Sequence, residues 1–428
     1  MSKVVVEQVP AKEALLPAVE AVFAYYGGLP ALLGGRTRAL IKINAVDFRP
    51  GTYISPAVLE AVIMALQKTG VKDIGVMENC TQGNFTRLVF AATGLDALCR
   101  RRGVRPLYLD EGPTAVIELP GINEKVRIPE LAARELTGTG REAFFLNLPK
   151  LKTHSMSIVT LGIKNLLGFM DQRDRMKEHN YNLHGRLAAL GELFRPDFTL
   201  IDGLNAVYYG HYPPTALLDK CTAPLNLLIG GDDPLAVDTV GARILGYSVD
   251  EVPHLRLARE RITGCADLDQ IEVAGDLSPY TTKYPCHLYP SFPPDVRVIK
   301  GSERCCPEGC QNNTLTTLQF LYLDHGGKGG FTILMGKGFT HEDLDQVSGP
   351  LLLAGKCAIE ETYTFFKNRS GRDKIYLSPY CNDLASTIKA LTRLMKVNPF
   401  SIVPVSPWKS FTLLAAAKLR GSKARVAL

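Results

Sequence analysis

RALIKINAVDFRPGTYISPAVLEAVIMALQKTGVKDIGVMEN, residues 38–79, is the stretch on which the fold turns. RALIKINAV (38–46) and KDIGVMEN (72–79) read as strands. SPAVLEAVIMALQKTG (55–70) between them reads as a helix, with Ser55 as N-cap, Pro56 in the first turn and Gly70 at the stop. Strand, helix and strand in that order predict a parallel pair. The pattern continues outward: FTRLVFAATGL (85–95) is a second helix, and strands follow at RPLYLDE (105–111), EAFFLNLPK (142–150), FTLIDGL (198–204) and LNLLIGG (225–231). The expected class is α/β, a mainly parallel sheet with helices on both faces. Only the stretch from Gly112 to Leu136, with AVIELP and KVRIP, suggests a small antiparallel insertion.

This first unit is expected to span 1–276. A Pro/Tyr-rich segment, LSPYTTKYPCHLYPSFPPD (277–295), breaks the alternation and reads as a linker. DVRVIKG, GGFTILMGKG, GPLLLAGK and DKIYLSPY then resume it, predicting a second, smaller α/β domain over 296–398. Residues 399–428 form a basic amphipathic tail that holds the only Trp, Trp408. Two readings of that tail stand: a helix packed on the body, or a peripheral contact with an anionic membrane or a docking partner.

Composition limits the function classes. A chain of 428 residues with 46% apolar and 21% charged residues is an ordinary folded protein of two or three domains. A net charge of +6 without a dense Lys/Arg stripe argues against a nucleic-acid surface. The start, MSKVVVEQVP, lacks the pattern of a signal peptide, and no run reaches the roughly 18 apolar residues that span a bilayer. The expected location is cytoplasmic and reducing, with peripheral membrane contact open through the tail. There, ten cysteines are read as metal ligands, catalytic thiols or buried small residues before disulfides.

Three of them crowd into SERCCPEGCQNN (302–313). Cys305, Cys306 and Cys310 follow one expected strand, Cys357 follows the next but one and Cys381 the last, each just before a helix. If the strands are parallel, all three turns open on one sheet edge, where α/β proteins bind ligands. Helix N-termini there favour anionic sulfur. Cys306, Cys310, Cys357 and Cys381, with Cys305 as alternate, are the expected ligands of a 4Fe–4S cluster. Zinc is the alternative, although paired CxxC knuckles are missing. Packing thiols with one redox-active member are the plain reading. Cys99, Cys221 and Cys265 read as structural, and Cys80 and Cys286 as weak candidates.

NLPKLKTHSMSIVTLGIKNLLGFM (147–170) gathers Lys150, Lys152, Thr153, His154, Lys164 and Asn165. Read as a strand running into a helix, PKLKTH would open an anion site for a carboxylate or phosphate. A solvated basic face is the plain alternative. Asp202 ends a strand and can orient a lysine, hold a metal or act as a base. Asp233 reads equally as a helix cap. Glu78, Asp110 and His184 are weaker candidates. GGKGG (326–330) and MGKG (335–338) fit no nucleotide motif and read as tight turns.

PKLKTH (149–154), then Thr160, Lys164, Asn165 and Gly168, then LIDGLNAV (200–207) and GGDDPLAVDTVGARILG (230–246), together resemble the domain of unknown function 362 family. The likeness covers about residues 38 to 260. It implies an α/β core, often joined to iron–sulfur modules in anaerobic organisms, without a settled reaction. Relatives follow the IDG segment with a Gly-rich GxGP; here YYGHYPP (208–214) puts His211 and Tyr212 in its place, so substrate preference is expected to differ. Many relatives carry a ferredoxin segment that this chain lacks, and the C-terminal cysteine domain is read as its substitute.

The leading expectation is thus an iron–sulfur oxidoreductase or Lewis-acid enzyme acting on an anionic small molecule in anaerobic metabolism. Lys152, His154, Lys164 and Asp202 carry the catalytic roles, and Lys150, Thr153, Asn165 and His211 bind substrate. The alternatives are a zinc-dependent isomerase, lyase or transferase, and an electron-transfer or assembly subunit of a membrane-associated complex. A redox partner protein and a homo-oligomer remain open.

Overall fold

The expected strands at 38–46 and 72–79 form as Arg38–Ile43 and Asp73–Glu78, paired in parallel with Arg38 opposite Asp73 and Lys42 opposite Met77. The structure, a computed structural model, describes residues 1–138, 140–177, 179–370 and 374–427. The core domain contains β1 (Ser2–Gln8), β2 (Arg38–Ile43), β3 (Asp73–Glu78), β4 (Arg105–Tyr108), β5 (Thr114–Glu118) and β6 (Lys125–Pro129). It continues with β7 (Ala143–Leu148), β8 (Lys150–His154), β9 (Ile158–Thr160), β10 (Phe198–Val207), β11 (Thr222–Gly231) and β12 (Ile271–Ala274). One sheet runs β12-β1-β11-β10-β7-β2-β3-β4, with β8 beside β10 and β9 beside β8. The pairs β1–β11, β10–β11 and β8–β9 are antiparallel and the rest parallel, so the sheet is mainly parallel as expected.

Both faces of this sheet are covered. Every residue of β2 and β3 after the first is buried, because separate apolar clusters pack above and below. The helix Pro56–Lys68 joins the two strands with Pro56 at its first position. Ser55 makes no side-chain cap; its backbone N–H donates instead to Asp202 Oδ2 at 2.7 Å. The expected antiparallel insertion is the β5–β6 pair.

The second sheet holds β13 (Val296–Lys300), β14 (Phe331–Met335), β15 (Leu351–Ala354) and β16 (Ile375–Ser378), parallel throughout and neighbours in chain order. All four strands therefore end on one edge.

Residues 277–295 hold no helix or strand yet are pinned at both ends. Pro285 O accepts from Tyr209 N at 2.8 Å and from Thr153 Oγ1 at 2.9 Å, and Ser291 O accepts from Gln319 Nε2 at 3.1 Å. Tyr212, from the YYGHYPP segment, is buried in the core of the second domain with Phe320, Leu321 and Met335. Its hydroxyl accepts from Arg49 Nη1 at 2.7 Å, while that guanidinium lies 4.1 Å from the Phe320 ring centroid. The YYGHYPP segment thus places Tyr212 at the seam between the two domains.

The tail helix Pro407–Leu419 rests on Phe48, Phe85 and Leu88. Beyond it the chain returns across the core domain. Lys423 N donates to Asp110 O at 2.7 Å and Gly83 N to Arg425 O at 2.7 Å. Arg425 Nη2 then reaches Asp383 Oδ2, in the second domain, at 3.1 Å.

Candidate functional site

PKLKTH does not open a helix. Only Pro149 separates it from β7, and the chain stays extended as β8, parallel to β10 with Lys150 opposite Asp202 and antiparallel to β9 with Lys152 opposite Thr160. A strand sends successive side chains to opposite sides, which parts Thr153 from Lys152 and His154, while Lys150 is drawn off by an ion pair. Thr153 is engaged with the Pro285 carbonyl. Lys150 pairs with buried Asp202 at 3.3 Å, and Asp202 also accepts from Ser55 N and Leu204 N. Lys150, Thr153 and Asp202 therefore serve the scaffold and do not line the cavity described next.

Lys152, His154, Lys164, Asn165 and His211 do meet, on a cavity of about 110 Å³ between the two domains. The β8–β9 hairpin folds the chain back, and the single helical turn Gly162–Asn165 that follows brings Lys164 and Asn165 to the cavity. Asp238 fixes that turn by accepting from Gly162 N at 2.6 Å and Ile163 N at 2.8 Å. Burial pushes the Asp238 carboxyl up to about 7.

The cavity is cationic at its core-domain wall. Lys152 Nζ donates to Asn44 Oδ1 at 2.8 Å, and burial, followed by the charges of Lys150 and Lys164, holds this amine well below its ordinary range. Lys164 finds no hydrogen-bond acceptor among the described residues, and burial with Arg175 and Lys42 nearby lowers it to about 7. Below them Lys42 and Glu78 form a buried ion pair at 2.6 Å. His154 Nδ1 accepts from Met156 N at 3.0 Å, which leaves the ring proton on Nε2 in the neutral imidazole. The His154 and His211 rings stack with centroids 3.6 Å apart.

The second domain closes the opposite wall with Asn313, Thr316, Thr317 and Phe320 from one helix, Asn382 from the loop after β16 and Leu384 at the start of the helix Leu384–Leu394. Sequence reading missed these residues and Arg175, since no motif marks a surface made only when two domains meet. Lys42 was open to detection: a lysine inside a strand whose neighbours are all apolar needs a buried partner.

The thiols converge as the parallel exits require. Cys306, Cys310, Cys357 and Cys381 line one cleft with Arg304, Gly336, Gly355 and Lys356. Gly355, at φ +93, makes room: a Cβ there would lie 2.9 Å from Cys310 Cβ and 3.1 Å from its Sγ. Cys305 joins from the side through a hydrogen bond with Cys310 that lowers its own thiol and, with burial, raises that of Cys310. Burial and the neighbouring Cys310 and Cys306 raise Cys357. No three His, Cys, Asp or Glu side chains among the described residues are disposed to hold a single metal ion. The four cysteines are spread around a cleft of about 10 Å³ that no histidine or carboxylate lines.

The remaining candidates are structural in their contacts. Cys80, Cys99 and Cys221 are buried, with burial raising each thiol. Asp233 caps the helix Pro234–Ile244 through Leu235 N and Ala236 N. Asp110 accepts from Ser422 Oγ of the tail at 3.1 Å. His184 lies 3.8 Å from Glu308, between Cys306 and Cys310, so the cysteine loop is seated on the core domain. Gly336 and Gly338 take positive φ in the MGKG turn, and Lys337 pairs with Glu303 at 2.8 Å.

Among curated proteins, the thylakoid-associated protein sll1697 of Synechocystis sp. (strain ATCC 27184 / PCC 6803 / Kazusa) is 25% identical over 258 residues, covering 58% of this chain and 75% of the relative. A crystal structure of a Thermotoga maritima protein aligns over 89% of this chain and 83% of its own at 10% identity, with a TM-score of 0.35, too low to support any argument. The family model "Domain of unknown function (DUF362)" matches residues 39–243, the segment that carries β8, Lys164 and the Asp238 brace. Residues 39–243 of this chain thus match the DUF362 family model, as the motifs implied.

Proposed function

We propose that this protein binds a 4Fe–4S cluster through Cys306, Cys310, Cys357 and Cys381 and acts on an anionic small molecule held in the adjoining interdomain cavity. The observation that carries the reading is the shared wall: Cys381 lines the thiol cleft and the next residue, Asn382, lines the cavity. Cys310 likewise stands three residues before Asn313. Four thiols without histidine or carboxylate beside them suit iron–sulfur chemistry, and the missing paired CxxC knuckles favour a cluster over zinc. The cleft has room for about one water, so the reading requires the thiols to swing apart.

Bound there, a cluster supplies single electrons or, with an open iron site, Lewis acidity. The protein's own residues do the rest. Arg175, and Lys164 when protonated, offset the substrate's charge in a space with little water, and Lys152 offers an N–H donor. Asn44, Asn165, Asn313 and Asn382 present amides to orient it. His154 offers its Nε2 proton, and Lys164, lowered to about 7, can hold or release one.

Anaerobic purification followed by iron and acid-labile sulfide determination tests the proposal. Near-stoichiometric cluster iron, lost in Cys357→Ser and Cys381→Ser, is expected. Background iron after anaerobic reconstitution would overturn it.

A further inference from the structure

The positive excess of this chain is confined to its end. From Leu384 to Leu428 there are eight Lys or Arg and no Asp or Glu; the whole chain sums to +6, so the first 383 residues carry −2. Within that cationic segment lies the helix Pro407–Leu419.

The helix has two apolar faces. Leu413, Leu414 and Ala417 turn inward onto Phe48, Phe85 and Leu88, as a surface helix requires. The outward face is apolar as well: Trp408 is 78% exposed, Phe411 58% and Leu419 88%. At about 100° per residue these three, with Ala415, fall within an arc of roughly 80°. Lys409 stands to one side of the stripe and Lys418 to the other. The Lys418 amine rests on the carbonyls of Ser422 and Ala424, at 3.4 and 3.3 Å. Arg420 and Lys423 extend the cationic border and are exposed.

We propose that this helix lies flat in an anionic lipid surface, with Trp408, Phe411 and Leu419 among the upper acyl chains and Lys409, Arg420 and Lys423 at the lipid phosphates. The occupant follows from the chemistry. A narrow stripe with cations on both sides and no acid in its segment matches a plane that is apolar below and negative at its rim. Trp at that boundary places its ring apolar-side and its N–H toward water. No helix among the described residues is long and apolar enough to cross a membrane, so the contact is peripheral. The proposal is independent of what the thiols or the cavity bind.

Trp408 is the only tryptophan, so its fluorescence reports on the stripe directly. The full chain is mixed with phosphatidylcholine vesicles, or with vesicles of roughly one-third phosphatidylglycerol, and followed by emission and flotation. A blue shift and co-flotation are expected with the anionic vesicles, weakening as salt rises, and little of either with phosphatidylcholine alone. The double variant Phe411→Ser, Leu419→Ser should lose both while keeping the wild-type melting temperature, since neither side chain is buried. Unchanged emission and no flotation would overturn the proposal, as would undiminished vesicle binding by the double variant. A blue shift that grows with protein concentration without vesicles would overturn it too, assigning the stripe to a second copy of the chain.

Discussion

Cys381 and Asn382 are consecutive and face different chambers, the thiol toward the cysteine cleft and the amide toward the interdomain cavity. Two bonds to the core domain fix this division: Asn382 N donates to Met176 O at 3.1 Å, and Asn382 O accepts from Gln82 Nε2 at 3.0 Å. The two substitutions should therefore have opposite effects. Cys381→Ser is expected to lower iron content and leave anion binding near wild type. Asn382→Ala should keep iron while weakening anion binding by about 1 kcal/mol, one lost hydrogen bond. Iron analysis and calorimetric titration with phosphate and with a dicarboxylate separate them; equal losses on both readouts would show the chambers to be unrelated to this division.

The Lys42–Glu78 pair sits under the cavity floor, and Glu78 also accepts from Ala45 N and Asn79 N, each at 2.7 Å. Glu78→Gln leaves a buried ammonium without its counter-charge. A loss of about 3 to 5 kcal/mol in urea unfolding is expected, and most of it should return in a Lys42→Met, Glu78→Leu double variant. A double variant as unstable as the single one would mean that the two backbone N–H groups, not the charge pair, dominate.

Lys164 sets a pH dependence. Its pKa falls from 10.5 unfolded to about 7 folded, through burial and the nearby Arg175 and Lys42, with Glu78 opposing. Between those values the unfolded chain binds more protons, so this group's contribution makes stability rise as pH increases from about 7 toward 10. Anion binding runs the other way. Above pH 7 the amine must take up a proton to neutralise a ligand, so affinity should fall by up to about tenfold per pH unit. Titrations in two buffers of different ionisation enthalpy should show proton uptake near pH 8 in wild type and less in Lys164→Met.

Gly355→Ala tests the room left for the thiols. The position has φ +93 and its Cβ would meet Cys310. About 1 to 3 kcal/mol of destabilisation and a marked fall in bound iron are expected. Gly330→Ala is the control, with φ +82 and nothing within 4 Å of its Cβ: it should show the backbone cost alone and full iron. Equal iron in the two variants would detach the glycine from the thiol cleft.

Strand order of reading and strand order in space agree best where the chain is locally regular. β2, the helix Pro56–Lys68 and β3 follow from apolar runs, Pro56 and Gly70, because a parallel unit is built from neighbours in sequence. The meeting of Cys310, Cys357 and Cys381 was legible for the same reason, since parallel strands share an exit edge. β8 was not. Its Lys, Thr and His look like the polar start of a helix, and the pairing partner that keeps it extended, β10, lies about fifty residues on. The division of Lys150, Thr153 and Asp202 from Lys152 and His154 depends on that pairing. Asn313 and Asn382 depend on a domain contact that local pattern does not encode.

The return of residues 420–427 across both domains bears on how the molecule is made. The backbone bonds of Gly83 to Arg425 and Ala427 tie an early loop of the core domain to residues far along the chain. A nascent chain keeps Lys152 and Lys164 hydrated until the stretch from Asn313 to Ile388 has emerged, because those residues supply the wall that dries them. Burial lowers both amines, so the docking of the second domain, not the first sheet alone, is the step at which the pocket acquires its chemistry.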